Sequence, residues 1–298
     1  METEHATCDL CGADDYEIIW DKTEREKQGV LRCKVIRDTK GEIIHGRVVI
    51  CKNCGLVYVN PRMTQESLDQ FYAEDYRRVY NEPATLKNEA NHAKNAWELL
   101  QPYIYTGKKI LDIGCSTGKL VELTQGYGIE PNREHCEIAK GKGLQVENCT
   151  IEDYAPGFKF DIITMLNALE HVASPTAVLS KIYSLLNSDG YVVISVPNFG
   201  NRTIHLSVDA FLSNAHLYHF ELITLKELFQ KCGFKPVGEC VTVESIGEKL
   251  YLLGQKTDER LEKINQAPSG YHETARKFLV QSQSVWDMKE KIKRMGFR

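Results

Sequence analysis

The chain has 298 residues, 42% of them apolar, with 37 Lys and Arg against 41 Asp and Glu and a formal net charge of −4. That length fits one large domain with a small satellite, and these proportions exclude a disordered chain and disfavour a dedicated nucleic-acid binder. No run of about 18 apolar residues occurs, and the opening METEHATCDL lacks the basic and apolar regions of a signal peptide. The expectation is a cytoplasmic protein with no membrane partner, in which ten cysteines point to metal binding or reactive thiols and not to disulfides.

Residues 1–62 carry two C-x-x-C pairs, Cys8 with Cys11 and Cys51 with Cys54. Four thiolates at this spacing suit a tetrahedral, structural Zn2+, and a closed four-sulfur shell puts any chemistry elsewhere. RVVICKNCGLVYV is apolar and β-branched around the second pair and reads as a hairpin with the knuckle at its turn. Between the pairs, YEIIW, VLRCKVIRD and EIIHGRVVI read as strands around a DTKGE turn, which predicts a small antiparallel zinc ribbon whose metal replaces a missing core. Cys33 and His45 have no partner at ligand spacing and are read as ordinary strand residues.

Residues 63–106 read as a helical connector. Thr64 opens a helix through TQESLDQFYAEDYRRVY, whose Phe71, Tyr72, Tyr76 and Tyr80 serve either as packing or as a lid. A second helix follows Pro83 and reaches about Leu100.

From residue 107 to 256 short apolar strands alternate with helical segments, the pattern of a mostly parallel sheet with helices on both faces. The strands are KKILDIG, YGIEP, LQVEN, FDIITMLN and YVVISVP. TAVLSKIYSLLNSDG is a helix stopping near Gly190, ITLKELFQKCGF is another, and PVGECVTVES with EKLYLLGQK forms a closing antiparallel pair. ILDIGCSTGKL places glycines after a buried strand, where a ligand can approach the backbone closely. A dinucleotide fingerprint would read G-x-G-x-x-G; Gly114-Cys-Ser-Thr-Gly118 has no second phosphate-binding glycine in register. Glu130 closes the next strand, where a carboxylate can accept both hydroxyl hydrogens of a ribose. An adenosyl ligand without phosphates fits these pieces. Only eleven residues separate Gly118 from Glu130, so the intervening helix is short.

This combination, with the CGLVYVNPR ending of the cysteine unit, resembles the class I S-adenosylmethionine-dependent methyltransferases, in the methyltransferase-23-like branch with an N-terminal zinc ribbon. The resemblance implies an α/β, Rossmann-like sheet with helices on both faces plus the small zinc-ribbon β unit, with S-adenosylmethionine and structural Zn2+ as cofactors. It further implies that Asp112, Gly114, Cys115 and Gly118 line the methionine side of the cofactor and that Glu130 holds the ribose diol. Thr150, Ile151, Glu152 and Asp153 would lie beside adenine, and Asn167, Glu170 and His171 of NALEHV close to the transferred methyl.

A hydroxyl acceptor becomes a better nucleophile when a positioned base removes its proton. The base candidates are His171, at a strand's C-terminal end, and His216 and His219 in NAHLYHF, an insertion expected to roof the acceptor pocket. Asn198, Arg202 and His205 are candidate substrate-orienting groups. The absence of an NPPY-like tetrapeptide turns the resemblance away from amino or nucleobase acceptors, toward a hydroxyl of a sugar, polysaccharide or natural-product intermediate, a small-molecule or carbohydrate substrate. Two alternatives stand beside this: an RNA or protein methyltransferase that docks through its ribbon, and a non-catalytic recruitment module on the cofactor fold. The extension 257–298 is a charged helical segment whose stripe of Ala275, Phe278, Leu279, Val285, Trp286, Met288 and Ile292 packs on the chain's own surface or forms a homodimer.

Overall fold

A computed structural model of the chain describes residues 2–31, 33, 35–37, 41, 43–72, 82–104, 107–200, 207–212, 215–244 and 247–294. The N-terminal unit comprises β1 (Thr3–Glu4), β2 (Tyr16–Asp21), α1 (Lys22–Lys27), β3 (Arg47–Cys51), β4 (Val57–Val59) and β5 (Arg62–Met63). The expected knuckle hairpin is present: β3 and β4 pair antiparallel with Val48 opposite Val59 and Ile50 opposite Val57. All four are buried, as are Val49 and Tyr58 on the opposite side, so the hairpin is covered on both faces.

The segment between the knuckles departs from the predicted row of strands. KTEREK forms α1, because the Asp21 carboxylate accepts from the Thr23 and Glu24 N–H groups and caps the turn. VLRCKVIRD forms no strand among the described residues; Arg37 and Ile43 make only an isolated bridge. His45 is not a strand residue either. Its φ is +55°, and its Nε2 accepts from the Met63 N–H at 2.7 Å, fastening the loop onto β5.

In the connector, α2 (Gln65–Gln70) starts where expected, its N-cap Thr64 hydroxyl accepting from Ser67 N–H at 3.3 Å. Phe71 is fully buried; Tyr76 and Tyr80 lie outside the described residues. The second predicted helix is α3 (Glu82–Leu100), with Ala93, Ala96 and Leu100 buried on one face.

The core continues with β6 (Ile110–Ile113), α4 (Lys119–Thr124), β7 (Tyr127–Ile129), α5 (Arg133–Gly141), β8 (Gln145–Glu147), β9 (Phe160–Leu166), α6 (Pro175–Leu185) and β10 (Leu186–Pro197). It closes with α7 (Val208–Phe211), β11 (Tyr218–His219), α8 (Leu222–Lys231), β12 (Phe234–Glu244), β13 (Gly247–Lys256) and α9 (Tyr271–Arg294). Seven strands form one sheet in the order β12-β13-β10-β9-β6-β7-β8. The five from β10 to β8 run parallel, and β13 inserts antiparallel between β10 and β12. The chain leaves β6 in one direction and returns through β9 in the other. That reversal places a crevice at the C-terminal ends of β6 and β9, where open α/β sheets bind ligands.

Two further expectations meet the structure here. The helix between Gly118 and Glu130 is short, six residues in α4. The helix expected to stop near Gly190 ends at Leu185, because Leu186 is extended and buried against Phe160, its partner in β9.

The NAHLYHF insertion does more than follow β10. β11 pairs antiparallel with β4, Tyr218 opposite Tyr58 and His219 opposite Val57, so a four-stranded sheet β11-β4-β3-β2 joins the insertion to the cysteine unit. The C-terminal helix packs on the chain itself: Ala275 and Leu279 are buried, and the Gln283 side-chain Oε1 accepts from the Val208 N–H at 2.9 Å. Farther along, Val285 and Met288 are exposed. No helix among the described residues is long and apolar enough to cross a membrane.

Candidate active site and metal centre

The four predicted zinc cysteines converge. Cys8 and Cys54 bring their sulfurs to 3.5 Å, as do Cys11 and Cys51, and all four sulfurs lie within 4.8 Å of one another. Four sulfurs each ~2.3 Å from a tetrahedral ion stand roughly 3.8 Å apart, so the donor set fits zinc. Each knuckle is closed by the same bond, Gly12 N–H to Cys8 O at 2.7 Å and Gly55 N–H to Cys51 O at 2.9 Å. The two glycines sit at φ +77° and +79°, a conformation side-chain-bearing residues rarely adopt. Neither Cys33 nor His45 joins this group.

The first knuckle is also docked on the core. The Asp9 carboxylate accepts from Ser174 Oγ (2.6 Å) and Thr176 N–H (2.8 Å) at the start of α6. Lys231 Nζ of α8 donates to the Asp9 and Leu10 carbonyls.

At the sheet crevice lies a cavity of about 550 Å³, a volume suited to one small ligand. Asp112, Gly114, Cys115, Ser116, Glu130, Thr150, Ile151, Glu152 and Asn167 line it, and His171 and Lys249 lie in the same wall. Glu130 is the best-anchored of these groups: its carboxylate accepts from the Ser116 and Asn132 N–H groups, both at 2.8 Å. The N–H groups of Gly114 and Cys115 donate to Ile129 O, so the glycine loop is tied to the end of β7 beside it. Gly114 has φ +68°, and a Cβ there would approach the Ala168 methyl to 3.3 Å. Asp112 is buried and accepts from Thr164 Oγ1 at 2.6 Å. Burial pushes its carboxyl up to about 7, against the opposing pull of that hydrogen bond.

Not every predicted residue reaches the cavity. Gly118 is outside the lining; a Cβ on it would come within 2.5 Å of Leu144 Cδ1 and 3.3 Å of Ala139 Cβ, so its smallness lets the loop pack closely on α5 and the turn after it. Asp153 accepts from the Thr150 hydroxyl at 3.1 Å and is not in the lining. Glu170, His216 and His219 lie behind the cavity wall, buried or nearly so. Asn198 donates to Glu248 Oε2 at 3.0 Å and is likewise outside the cavity; Arg202 and His205 fall outside the described residues.

Residues 84–239, just over half of the chain, match the methyltransferase-domain family, methyltransferase 23. The chain belongs to that family of class I S-adenosylmethionine-dependent methyltransferases. Among curated proteins, this methyltransferase is 34% identical over 116 residues to the ubiquinone biosynthesis O-methyltransferase of Thiobacillus denitrificans, covering 34% of this chain and 50% of that protein. It is 35% identical over 109 residues to the protein of the same name from Haemophilus ducreyi, covering 31% and 46%. The chain thus spans about half the length of the curated relatives it matches. Among solved structures, magnesium protoporphyrin IX methyltransferase of Synechocystis with bound S-adenosylmethionine has a TM-score of 0.51 at 15% identity, covering 67% of this chain and 100% of that one. The 1,6-didemethyltoxoflavin-N1-methyltransferase of Burkholderia thailandensis has a TM-score of 0.54 at 18% identity, covering 68% and 96%. At these identities the structures share the fold, a seven-strand mixed sheet.

The methyltransferase also has site residues that its motifs did not single out. From α3, Glu89 reaches over the glycine loop, its carboxylate accepting from the hydroxyls of Ser116 and Thr117. His92, one turn on, takes a hydrogen bond from the Asn167 amide through Nδ1 at 2.8 Å. His135 Nδ1 meets Ser116 Oγ at 3.1 Å. The available signal was helical spacing: Glu89, His92 and Ala93 share a face with buried Ala96 and Leu100, and two polar residues at such positions need partners.

In the cavity wall, His171 Nδ1 lies 2.8 Å from Ala215 O. A carbonyl only accepts, so the ring proton sits on Nδ1 and Nε2 carries the lone pair. Tyr72 Oη donates to the same carbonyl at 3.1 Å and touches Nδ1 at 2.8 Å. Burial pushes the His171 pKa down, favouring the neutral ring a base requires.

Proposed function

We propose that this methyltransferase transfers a methyl group from S-adenosylmethionine to a hydroxyl of a small molecule, with a sugar or natural-product intermediate as the leading substrate class. The observation that carries the reading is a single cavity whose lining includes Asp112, Gly114 and Glu130 together with His171. The O-methyltransferase names of the curated relatives add to it. When bound, S-adenosylmethionine supplies an activated methyl group on a sulfonium.

The residues present fit that cofactor. Glu130, pinned by two backbone N–H groups, is set to accept from a ribose diol. Thr150, Ile151 and Glu152 border the adenine end, Asp112, Gly114 and Cys115 the methionine end, and Asn167 the passage toward the acceptor. His171 removes the acceptor's proton; of the three histidines considered as base, it alone is in the lining. His216 and His219 shape the wall behind it, and burial pushes His219 down to about 3, holding it neutral. A structural zinc on Cys8, Cys11, Cys51 and Cys54 holds the N-terminal unit.

Two outcomes test these roles. His171→Gln is expected to lower single-turnover transfer roughly 10²–10⁴-fold while leaving cofactor affinity within threefold; equal loss of both would assign the ring to binding. Asp112 tests the methionine end. Its folded pKa of about 7 exceeds its ordinary value, so its contribution to apo-protein stability falls as pH rises from about 4 to about 7 and is level above. A cationic cofactor beside it favours the ionised form, so calorimetric affinity should rise toward pH 7, by at most about tenfold per unit. Asp112→Asn should flatten that slope; an unchanged slope in the variant would remove Asp112 from the cofactor site.

A further inference from the structure

Behind the acceptor end of the cavity, donor atoms of three residues face one another. Glu170 is 1% exposed, and neither carboxylate oxygen has a hydrogen-bond partner. His216 Nδ1 is buried and equally unpartnered. The lone-pair edge of His171, Nε2, stands 3.9 Å from Glu170 Oε1. One donor atom from each of the three lies within 4.8 Å of the other two. A buried carboxylate facing two neutral imidazoles is costly unless a proton or a cation sits among them.

We propose that Glu170, His171 and His216 form a second metal site, specific for a divalent transition ion such as zinc or iron(II). Two imidazoles and one carboxylate are the donors such ions take, and a set of three leaves coordination positions open. Donors ~2.1 Å from an ion stand roughly 3.4 Å apart, a small side-chain rotation from the 3.9 Å seen between Glu170 and His171. One ligand is oriented from behind, Ala215 O holding the Nδ1 proton of His171, and the Leu217 N–H fixes the Glu170 backbone carbonyl at 2.7 Å. The charge of Lys249 acts on both imidazoles and is the group with which the ion must coexist.

The ion's role rests on the hydroxyl-transfer reading above. An acceptor oxygen entering an open position would lose its O–H proton to solvent, form the O–CH3 bond, and leave the electrons of the broken S–CH3 bond on sulfur. With the ion in place, the proton-removing role given above to His171 passes to the ion, which lowers the hydroxyl's pKa while His171 Nε2 serves as a ligand.

The site itself is tested without cofactor or acceptor, so its failure would leave methyl transfer standing. The full chain is loaded with Co2+, desalted, and its metal counted by mass spectrometry alongside the visible and X-ray absorption spectra. Wild type should hold two ions, one with thiolate-to-cobalt charge-transfer bands and one with only nitrogen and oxygen donors. Glu170→Gln and His216→Ala should each hold one, with the thiolate bands intact. One ion in wild type, or two in both variants, would overturn the proposal. Should the variants lose the thiolate bands as well, the wild-type count and donor types decide alone.

Discussion

Cys51→Ser is expected to cost the protein the zinc proposed for its four cysteines and with it the geometry of the acceptor end, although the two lie in different units. Cys51 ends β3 and is 1% exposed, so a hydroxyl there cannot replace a thiolate ligand. The hairpin it anchors carries β4, β4 pairs with β11, and the residues leading into β11 supply Ala215 O to His171 and Leu217 N–H to Glu170 O. Arg62 Nη1 adds a bond to Tyr218 Oη at 2.7 Å. Structural zinc sites contribute folding free energy directly. We expect a loss of about 4 kcal/mol, a fall of about 10 °C in melting midpoint for a chain of this size. Hydrogen exchange should show lost protection in β4 and β11 while β6 and β9 stay protected. Full protection of β11 in the zinc-free variant would break the proposed link between knuckle and acceptor pocket.

The second large effect concerns Glu130→Ala. The carboxylate is 7% exposed and held by two N–H groups, so it meets a ligand with little reorganisation. Losing two charge-assisted hydrogen bonds to a ribose costs about 3 kcal/mol or more, at least a hundredfold in affinity. The substitution also strands the Ser116 and Asn132 N–H groups and loosens the glycine loop. Competition between S-adenosylmethionine and S-adenosylhomocysteine on the folded variant reads the loss; affinity within fivefold of wild type would mean that Glu130 serves the loop and not a ligand.

Much of this architecture was legible because it depends on local patterns. Paired cysteines followed by glycines, buried β-branched runs and the Gly114 to Glu130 spacing each report on residues near one another in the chain. The features that were not legible are long-range or competitive. Nothing near NAHLYHF indicates that Tyr218 will pair with Tyr58, 160 positions earlier, and so turn His216 and His219 away from the cavity lining. The α1 helix depended on whether Asp21 capped a turn or continued a strand, a contest decided by the Thr23 and Glu24 N–H groups. At Leu186, burial against β9 overrode the helical run preceding it. Glu89 and His92 were hidden because a helix spacing pattern marks apolar faces more clearly than polar residues turned inward.

A calorimetric titration of the zinc-loaded, folded chain with S-adenosylmethionine at pH 7.5 tests the cofactor site most directly. Saturable one-to-one binding with a micromolar dissociation constant is the expected result. No heat and no competition with S-adenosylhomocysteine would contradict the cofactor site and leave the fold as a recruitment module.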